Sequence, residues 1–376
     1  MLSRSLHLYP TRGYRMFFSA LVPGLLWICT NAFAASPADA HFALSDDCRS
    51  CHDGITDANS NDASIGDDWA TGMMANASRD PYWIAKVASE LHRNPQLDEK
   101  INSTCSRCHA PMANEAAQKE GDPVQLFGSG FMDSQNSYHA YALDGVSCTL
   151  CHQIKNDSTL GSLAGFSGNF VIDEYLNPAD RPAYGQFEMP RSNPMLMQSQ
   201  AFIPVFSPHI QDSSLCASCH NLKTPFVDAD GNLASTTPES EFPEQMPYTE
   251  WLNSDYREGG ATEKSCRECH MPAVNTPVKI SSRPAGLAAR PGFSRHAFLG
   301  ANTVMMDILD QNSLTPGVST GAFQNAIEEN RNFLARAASL EILSADISND
   351  RLELSLKVNN HSGHKLPTSY PSRRAY

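Results

Sequence analysis

The chain has 376 residues, a formal net charge of −13, 18% charged residues and 41% hydrophobic residues. This composition is typical of a soluble globular protein and excludes a collagen-like chain, a coiled coil and a wholly disordered chain. The acidic balance argues against a nucleic-acid partner, because phosphate backbones attract basic proteins. With 22 glycines and 24 prolines, the sequence predicts many loops and few long regular elements.

The N-terminal segment, 1–34, has the features of a secretory signal peptide. It starts with basic residues, continues with an apolar stretch over 16–28, and ends in the small-x-small pattern Ala32-Phe33-Ala34. The alternative is an uncleaved anchor, but the apolar stretch is shorter than the ~18 to 20 residues that span a bilayer. We therefore expect cleavage after Ala34, export to the periplasm or the cell surface, and no transmembrane span in the mature chain.

Ten of the 11 cysteines fall into five pairs, and every pair has the form Cys-x-x-Cys-His. We call them, in chain order, the first to fifth motifs: Cys48, Cys51 and His52; Cys105, Cys108 and His109; Cys148, Cys151 and His152; Cys216, Cys219 and His220; and Cys266, Cys269 and His270. This is the attachment pattern of haem c, in which two thiols bond to the porphyrin vinyl groups and the adjacent histidine lies under the iron.

Three other uses of cysteine pairs compete with this interpretation. Exported proteins form disulfides, zinc sites use Cys-x-x-Cys pairs, and thioredoxin-like enzymes use the same pair for redox chemistry. None of them accounts for a histidine directly after all five pairs. The sequence therefore predicts five haem c groups as cofactors, and a mainly α fold with much irregular structure organised around covalent haems.

An iron with one histidine ligand either takes a second protein ligand, which suits electron transfer, or keeps an open position for a small molecule. Outside the motifs, the expected mature chain has seven histidines. All except His361 are our candidates for distal ligands: His41, His92, His139, His209, His296 and His364. The sequence does not say which histidine serves which iron.

Methionine can also be an axial ligand, and Met74 is the methionine candidate. The alternative is that this side chain packs in the core. Downstream of Met74, we predict a helix that Asp80 caps and Pro81 begins, since these residue types favour those two positions.

The C-terminal part predicts a helix followed by a β-hairpin. We expect the helix over 322–339, a strand over 340–347, a turn at Asn349-Asp350, and a second strand where apolar residues alternate from Leu352 to Val358. A two-stranded hairpin is marginal by itself, so we expect the start of a truncated β-sandwich-like domain. The predicted organisation is a pentahaem domain over 35–320, a connecting helix over 321–340 and the β domain over 341–376.

Several segments resemble one known family. "DGVSCTLCHQI" at the third motif, "LCASCHNLKTP" at the fourth, "FPEQMPYTEWLNSDY" from Phe242, "SCRECHMP" at the fifth and "GHKLPTSYPSRRAY" at the end are similar to exported bacterial multihaem c-type cytochromes. Their haem core is related to the tetrahaem cytochrome of ammonia oxidisers and to hydroxylamine oxidoreductase. The resemblance covers about 45–376.

The resemblance has consequences for the ligands. The family's W-x-x-S-x-H pattern carries an axial histidine, whereas here Trp69 is followed by Met74 at that position, which favours a His/Met first haem. The family's closing segment has a glycine where this chain has Ser369, and its histidine matches His364. The resemblance also implies a longer protein with a complete β domain.

The function that we expect is electron relay in respiration through five haems, with redox partner proteins whose docking surfaces are basic and with a possible outer-membrane or extracellular cytochrome assembly. The alternative is an oxidoreductase that acts on a small nitrogen or sulfur compound at one open haem. No motif singles out such a haem, because all five carry the ordinary histidine. A third interpretation is a structural subunit that docks through the β region. A carrier is favoured over an enzyme because seven candidate ligands, six histidines and Met74, are available for five irons.

Overall fold

The computed structural model describes residues 41–175, 177–188, 202–235, 237–283, 286–312, 314–315 and 317–369. The predicted signal peptide over 1–34 and the C-terminal Arg373 and Arg374 lie outside these ranges.

Short helices dominate the described residues. They are α1 (Ser45–His52), α2 (Ile65–Ala70), α3 (Pro81–Arg93), α4 (Asp98–His109), α5 (Pro111–Glu120), α6 (His139–Leu143), α7 (Cys148–Cys151), α8 (Ser213–Ala217), α9 (Pro247–Leu252), α10 (Cys266–His270), α11 (Thr303–Gln311) and α12 (Ala322–Leu334). Proline begins α3, α5 and α9, where its missing N–H would have no helical partner. Within the described ranges, no helix has the length and apolar character needed to cross a membrane.

The strands form three separate two-stranded sheets in this part of the chain. Strands β1 (Arg181–Gly185) and β2 (Phe202–Phe206) pair in parallel. Strands β3 (Leu222–Thr224) and β4 (Phe242–Gln245) pair antiparallel, as do β5 (Ala338–Ser348) and β6 (Arg351–Asn360). None of these sheets is large enough to form the core, so the helices and loops around the motifs must supply it.

The predicted start of α3 is confirmed. Asp80 is the N-cap, its carboxylate accepts hydrogen bonds from the backbone N–H groups of Tyr82 and Trp83, and Pro81 is the first helical residue. The helix presents Trp83 and Val87 to the largest apolar cluster. The cap therefore fixes the end of the helix that carries a core tryptophan.

The largest apolar cluster lies around the second and third motifs. Phe131, Met112 and Leu126 are fully buried in it, and the partly buried Cys105 and Cys219 pack against it. Burying each of the large apolar side chains contributes about 1.5–3 kcal/mol. The thiols of two motifs thus lie at the edge of the main core.

The C-terminal hairpin is present with the predicted turn. Asn349 and Asp350 have φ angles of 50° and 59°, as a two-residue type I′ turn requires. The preceding helix ends at Leu334, five residues before the predicted end at Ser339, because β5 already begins at Ala338. The further strands of a β-sandwich stay a prediction.

One face of the hairpin is apolar and the other is polar. The register places Ile342 opposite Leu356, and Glu341 opposite Lys357, with which it forms an ion pair. The apolar side chains on both strands are exposed, Ile347 to 81%. The hairpin alone leaves this face uncovered, as expected for a sheet that needs more strands or a partner.

The N-cap of α3 gives a direct test of the fold. Replacing Asp80→Ala removes the acceptor of the Tyr82 and Trp83 N–H groups, which lie 2.8 and 3.3 Å from its Oδ1. We expect the free energy of unfolding to fall by about 1 kcal/mol, measured by chemical denaturation. Asp80→Asn keeps a side-chain acceptor, so its free energy of unfolding should fall much less. Equal losses in the two variants would contradict the capping role.

Candidate cofactor site

Each motif occupies one helical turn. The first lies in α1, the second ends α4, the third is α7 with the following histidine, and the fifth is α10. The fourth starts in α8 and continues past it, with the N–H of His220 donating to the Cys216 carbonyl over 2.9 Å. Because residues i, i+3 and i+4 share one face of a helix, the two thiols and the imidazole of a motif lie on the same side.

The five motifs are neighbours in space although the chain separates them widely. Three pairs of thiols from different motifs lie close enough to influence each other's ionisation: Cys48 and Cys148, Cys108 and Cys219, and Cys216 and Cys266. Cys151 of the third motif interacts electrostatically with both cysteines of the fourth. The helices α1 and α7 are in contact, as are α8 and α10. The motifs therefore form a continuous array in which the first lies beside the third, the third lies near the fourth, and the fourth lies beside both the second and the fifth.

The ten motif cysteines are all free thiols in the structure. The disulfide alternative is therefore not realised among the described cysteines. The described residues also contain no group of three or more His, Cys, Asp or Glu side chains arranged for a metal ion. A haem iron needs at most two protein ligands, so this finding does not bear on haem.

Four of the motif histidines bond a backbone carbonyl through Nδ1. The pairs are His52 with Ile280 (2.7 Å), His109 with Ala77 (3.0 Å), His152 with Tyr184 (2.5 Å) and His270 with Leu299 (2.6 Å). A carbonyl only accepts, so Nδ1 carries the proton and the lone pair is on Nε2. This is the tautomer that a metal-binding histidine needs, with its outer nitrogen held by the protein.

The ring of His220 is desolvated although it is exposed. Desolvation, followed by the charges of His270, His364 and His109, lowers the pKa of His220 to about 4, yet its accessible surface is that of an exposed residue. An imidazole on the outer surface would titrate near its usual value. The accessible surface and the lowered pKa are compatible, because a ring that faces a cleft inside the protein has accessible surface and is still surrounded by protein.

His109 has a similar environment. It is partly exposed, and desolvation lowers its pKa to about 4 despite the opposing hydrogen bond to the Ala77 carbonyl. Trp83 stacks on this ring, with centroids 4.6 Å apart and planes at 9°. No pattern in the sequence indicates this contact, because tertiary packing brings α3 onto the end of α4.

His364 faces a motif histidine at a distance that suits a shared iron. The His364 and His270 ring centroids are 6.1 Å apart. Two imidazoles on opposite sides of one metal, each with a metal–nitrogen distance of about 2.0–2.1 Å, have centroids roughly 6 Å apart. The Nδ1 atom of His364 is buried without a hydrogen-bond partner among the described residues, and Glu250 Oε2 lies 3.6 Å away. Glu250, which the sequence analysis did not identify, is thus placed to orient this ring.

His296 lies between the first and third motifs. Desolvation lowers its pKa to about 3, with smaller contributions from His152 and His52. Its Nδ1 is buried and has no hydrogen-bond partner among the described residues. A buried imidazole without partners is costly, and a metal that takes its lone pair would remove part of that cost.

His139 has the same outer hydrogen bond as the motif histidines. Its Nδ1–H donates to the Phe131 carbonyl over 2.9 Å, which leaves the lone pair on Nε2. The ring is partly buried at the start of α6, beside the largest apolar cluster. The chemistry of this donor fits a distal ligand.

The other histidines have different surroundings. His209 is buried, its Nε2–H donates to the Ile154 carbonyl (2.9 Å) and its Nδ1 accepts from Ser207 (2.7 Å), so neither nitrogen is free. His41 donates through Nε2 to Glu120 over 2.9 Å. The remaining two are exposed: His92 in the last turn of α3, and His361 beside Ser339. The contacts therefore do not favour His209 or His41 as ligands, and we leave them out of the proposed set.

Met74 lies beside the third motif. Its carbonyl accepts the Val146 N–H over 2.9 Å, and the indole N–H of Trp69 donates to the Val146 carbonyl over 2.9 Å. Gly145 permits this approach, because a Cβ atom there would lie 2.6 Å from the Met74 carbonyl oxygen. The Trp69 to Met74 segment is thus fixed against the residues that lead into Cys148.

Unpartnered buried polar atoms are concentrated at the motifs in the described part of the chain. Arg107 Nε and Arg267 Nε lie within the second and fifth motifs, and Ser218 Oγ lies within the fourth. The residues present fit the predicted group in the tautomers of four motif histidines and in the spacing of the thiols.

Comparisons of the chain with protein-family models, with curated proteins and with solved structures found no match.

The packing against the second motif is tested by one glycine. Gly168 has a φ of +77°, and a Cβ atom there would lie 2.8 Å from Arg107 Cβ and 3.2 Å from Cys108 Sγ. Gly121 has a φ of +76° with open space around its Cβ position, so it is a matched control. The left-handed conformation costs about 1–2 kcal/mol in either alanine variant. Gly168→Ala should also lose about 1–3 kcal/mol of stability, because its Cβ atom overpacks the site.

We therefore expect Gly168→Ala to lower the thermal unfolding temperature more than Gly121→Ala. Calorimetry of the two variants makes the comparison. A smaller loss in Gly168→Ala than in Gly121→Ala would contradict the close packing of Gly168 on Cys108.

Proposed function

We propose that the chain is an exported multihaem c-type cytochrome that binds five haem c groups and relays electrons in respiration. The observation that carries the proposal is that all five Cys-x-x-Cys-His turns are neighbours in one array. Five attachment turns in contact would hold five irons close enough for electrons to pass among them. No other use of the motifs explains both the repeated histidine and this clustering.

The protein's own residues would perform three tasks. In each motif the two cysteine thiols would hold a haem covalently, through thioether bonds to its vinyl groups. The carbonyls of Ile280, Ala77, Tyr184 and Leu299 hold four motif histidines in the metal-binding tautomer. The indole of Trp83, stacked on His109, covers one face of that ring. When bound, each haem supplies an iron that exchanges a single electron.

The proposed distal ligands are His139, His296 and His364, with Met74 as a fourth. His364 is best supported, by its 6.1 Å centroid separation from His270. We propose the periplasm or the cell surface as the location, because the sequence begins with the features of a signal peptide. The net charge of −13 favours redox partners with basic surfaces.

Electron paramagnetic resonance of the purified oxidised protein tests the relay. A relay haem with two axial ligands is low-spin, so we expect low-spin signals to dominate. His364→Ala should convert one haem from low-spin to high-spin. His361→Ala, three residues earlier on an exposed ring, is the matched control and should leave the spectrum unchanged.

A spectrum without haem signals would overturn the proposal. Equal spectra for His364→Ala and His361→Ala would remove His364 from the ligand set. A near-infrared methionine-to-iron band that is lost in Met74→His would support Met74 as a ligand, and its absence in the wild type would exclude it.

A second candidate function is an oxidoreductase with one open haem. The observation that favours it is the ligand count: within the described ranges, three histidines have contacts that suit distal ligands, and with the candidate Met74 they leave one of five irons without one. An iron with an open position binds small molecules. A high-spin signal in the wild type that shifts when nitrite or hydroxylamine is added would favour this function over a pure relay.

A further inference from the structure

Residues 222–235 and 237–245, which include β3 and β4, make up a segment that we call the acidic lobe. It exposes three large apolar side chains: Phe226 at 46%, Leu233 at 42% and Phe242 at 50%. Thr224 pairs with Phe242 and Val227 bridges Leu233, so Phe226 lies between two paired positions of the lobe. Single exposed apolar residues are ordinary, whereas a group of them on one small lobe indicates a binding surface.

The lobe also carries an excess of carboxylates. It contains Asp228, Asp230, Glu239, Glu241 and Glu244 but a single basic residue, Lys223. The Lys223 ammonium group donates to the carbonyls of Pro238 and Glu239, each over 3.1 Å. The lobe therefore combines exposed apolar side chains with a net negative charge, and its one cation is already bonded within it.

The lobe is fixed to the second motif from two sides. The backbone N–H of Lys223 donates to Ser167 Oγ over 3.1 Å. Gly168, which follows Ser167 in the chain, lies against Cys108. On the other side, the Gln96 amide, just before α4, donates to the Gly231 carbonyl over 2.9 Å. Since α4 ends in the second motif, a protein that docks on the lobe comes close to the cofactor attached there.

We propose that the acidic lobe is the docking surface for a small basic electron-transfer protein that exchanges electrons with the haem on the second motif. The inference rests on the proposed function. A small surface that combines exposed apolar side chains with negative charge suits a weak, transient redox complex, and the charges would accelerate encounter with a basic partner. A second copy of this chain would bring an equally acidic lobe and be repelled.

The electron balance is simple. In the test reaction, the dithionite-reduced protein loses one electron, and a ferric, strongly basic monohaem cytochrome c gains it, with no bond made or broken. Stopped-flow absorbance measures the second-order rate at several salt concentrations. The full-length holoprotein is used throughout, and its haem content and melting temperature are checked in each variant.

The test variant is Asp230→Lys with Glu241→Lys. The matched control is Asp346→Lys with Glu353→Lys, an exposed pair opposite each other on the C-terminal hairpin that changes the net charge equally. We expect the lobe variant to slow electron exchange at low salt by roughly 10-fold or more, a range typical of lost electrostatic steering. The hairpin control should change the rate by less than about 2-fold. A second lobe variant, Phe226→Ser with Phe242→Ser, should weaken the complex at high salt also.

Equal effects of the two charge-reversal pairs, or no effect of either, would overturn the docking proposal while the relay stands. A wild-type protein that carries haem but does not reduce the basic cytochrome would also overturn it. Absence of haem would overturn the proposed function itself. A dimer in the wild type that the lobe variants dissociate would show that a second copy occupies the lobe, and would likewise contradict the proposal.

Discussion

The hydrogen bond from a motif histidine Nδ1 to a backbone carbonyl is the interaction on which the site depends. It removes a rotational freedom of the ring and fixes its proton, so that the lone pair is available on Nε2. The acceptors belong to segments far away in the chain, such as Ile280 for His52 and Leu299 for His270. Four of the motifs are thus local helical turns whose histidines are set in the tautomer that the proposed iron site needs only when a distant segment is in place.

This constraint accounts for where the acceptors lie. The carbonyls of Ile280, Ala77 and Leu299 belong to loops, and the carbonyl of Tyr184 belongs to β1, a strand with a single neighbour. None of the four belongs to a long helix or a central strand, whose carbonyls are engaged by backbone N–H groups. The apolar clusters are correspondingly small and separate, one at the second and third motifs and another at α11 and α12. In the proposed holoprotein, the faces of the haems would connect these clusters into one core.

Local features of the fold were predictable, and long-range ones were not. Asp80 and Pro81 identify the start of α3, and Asn349-Asp350 identifies the hairpin turn, because each depends on near neighbours in sequence. The role of His209 was not predictable, since its bonds to Ile154 and Ser207 arise from tertiary packing. The order of the motifs in the array is also a tertiary property. Sequence spacing alone would not place the first motif beside the third.

The attachment of five haems is tested most directly by the intact mass of the protein, matured in a host that assembles c-type cytochromes, together with a haem-stained gel. The account predicts a coloured protein whose mass exceeds that of the mature polypeptide by five haem groups. Replacing both cysteines of one motif by serine should remove one of them. A colourless protein with the mass of the polypeptide alone would contradict the account.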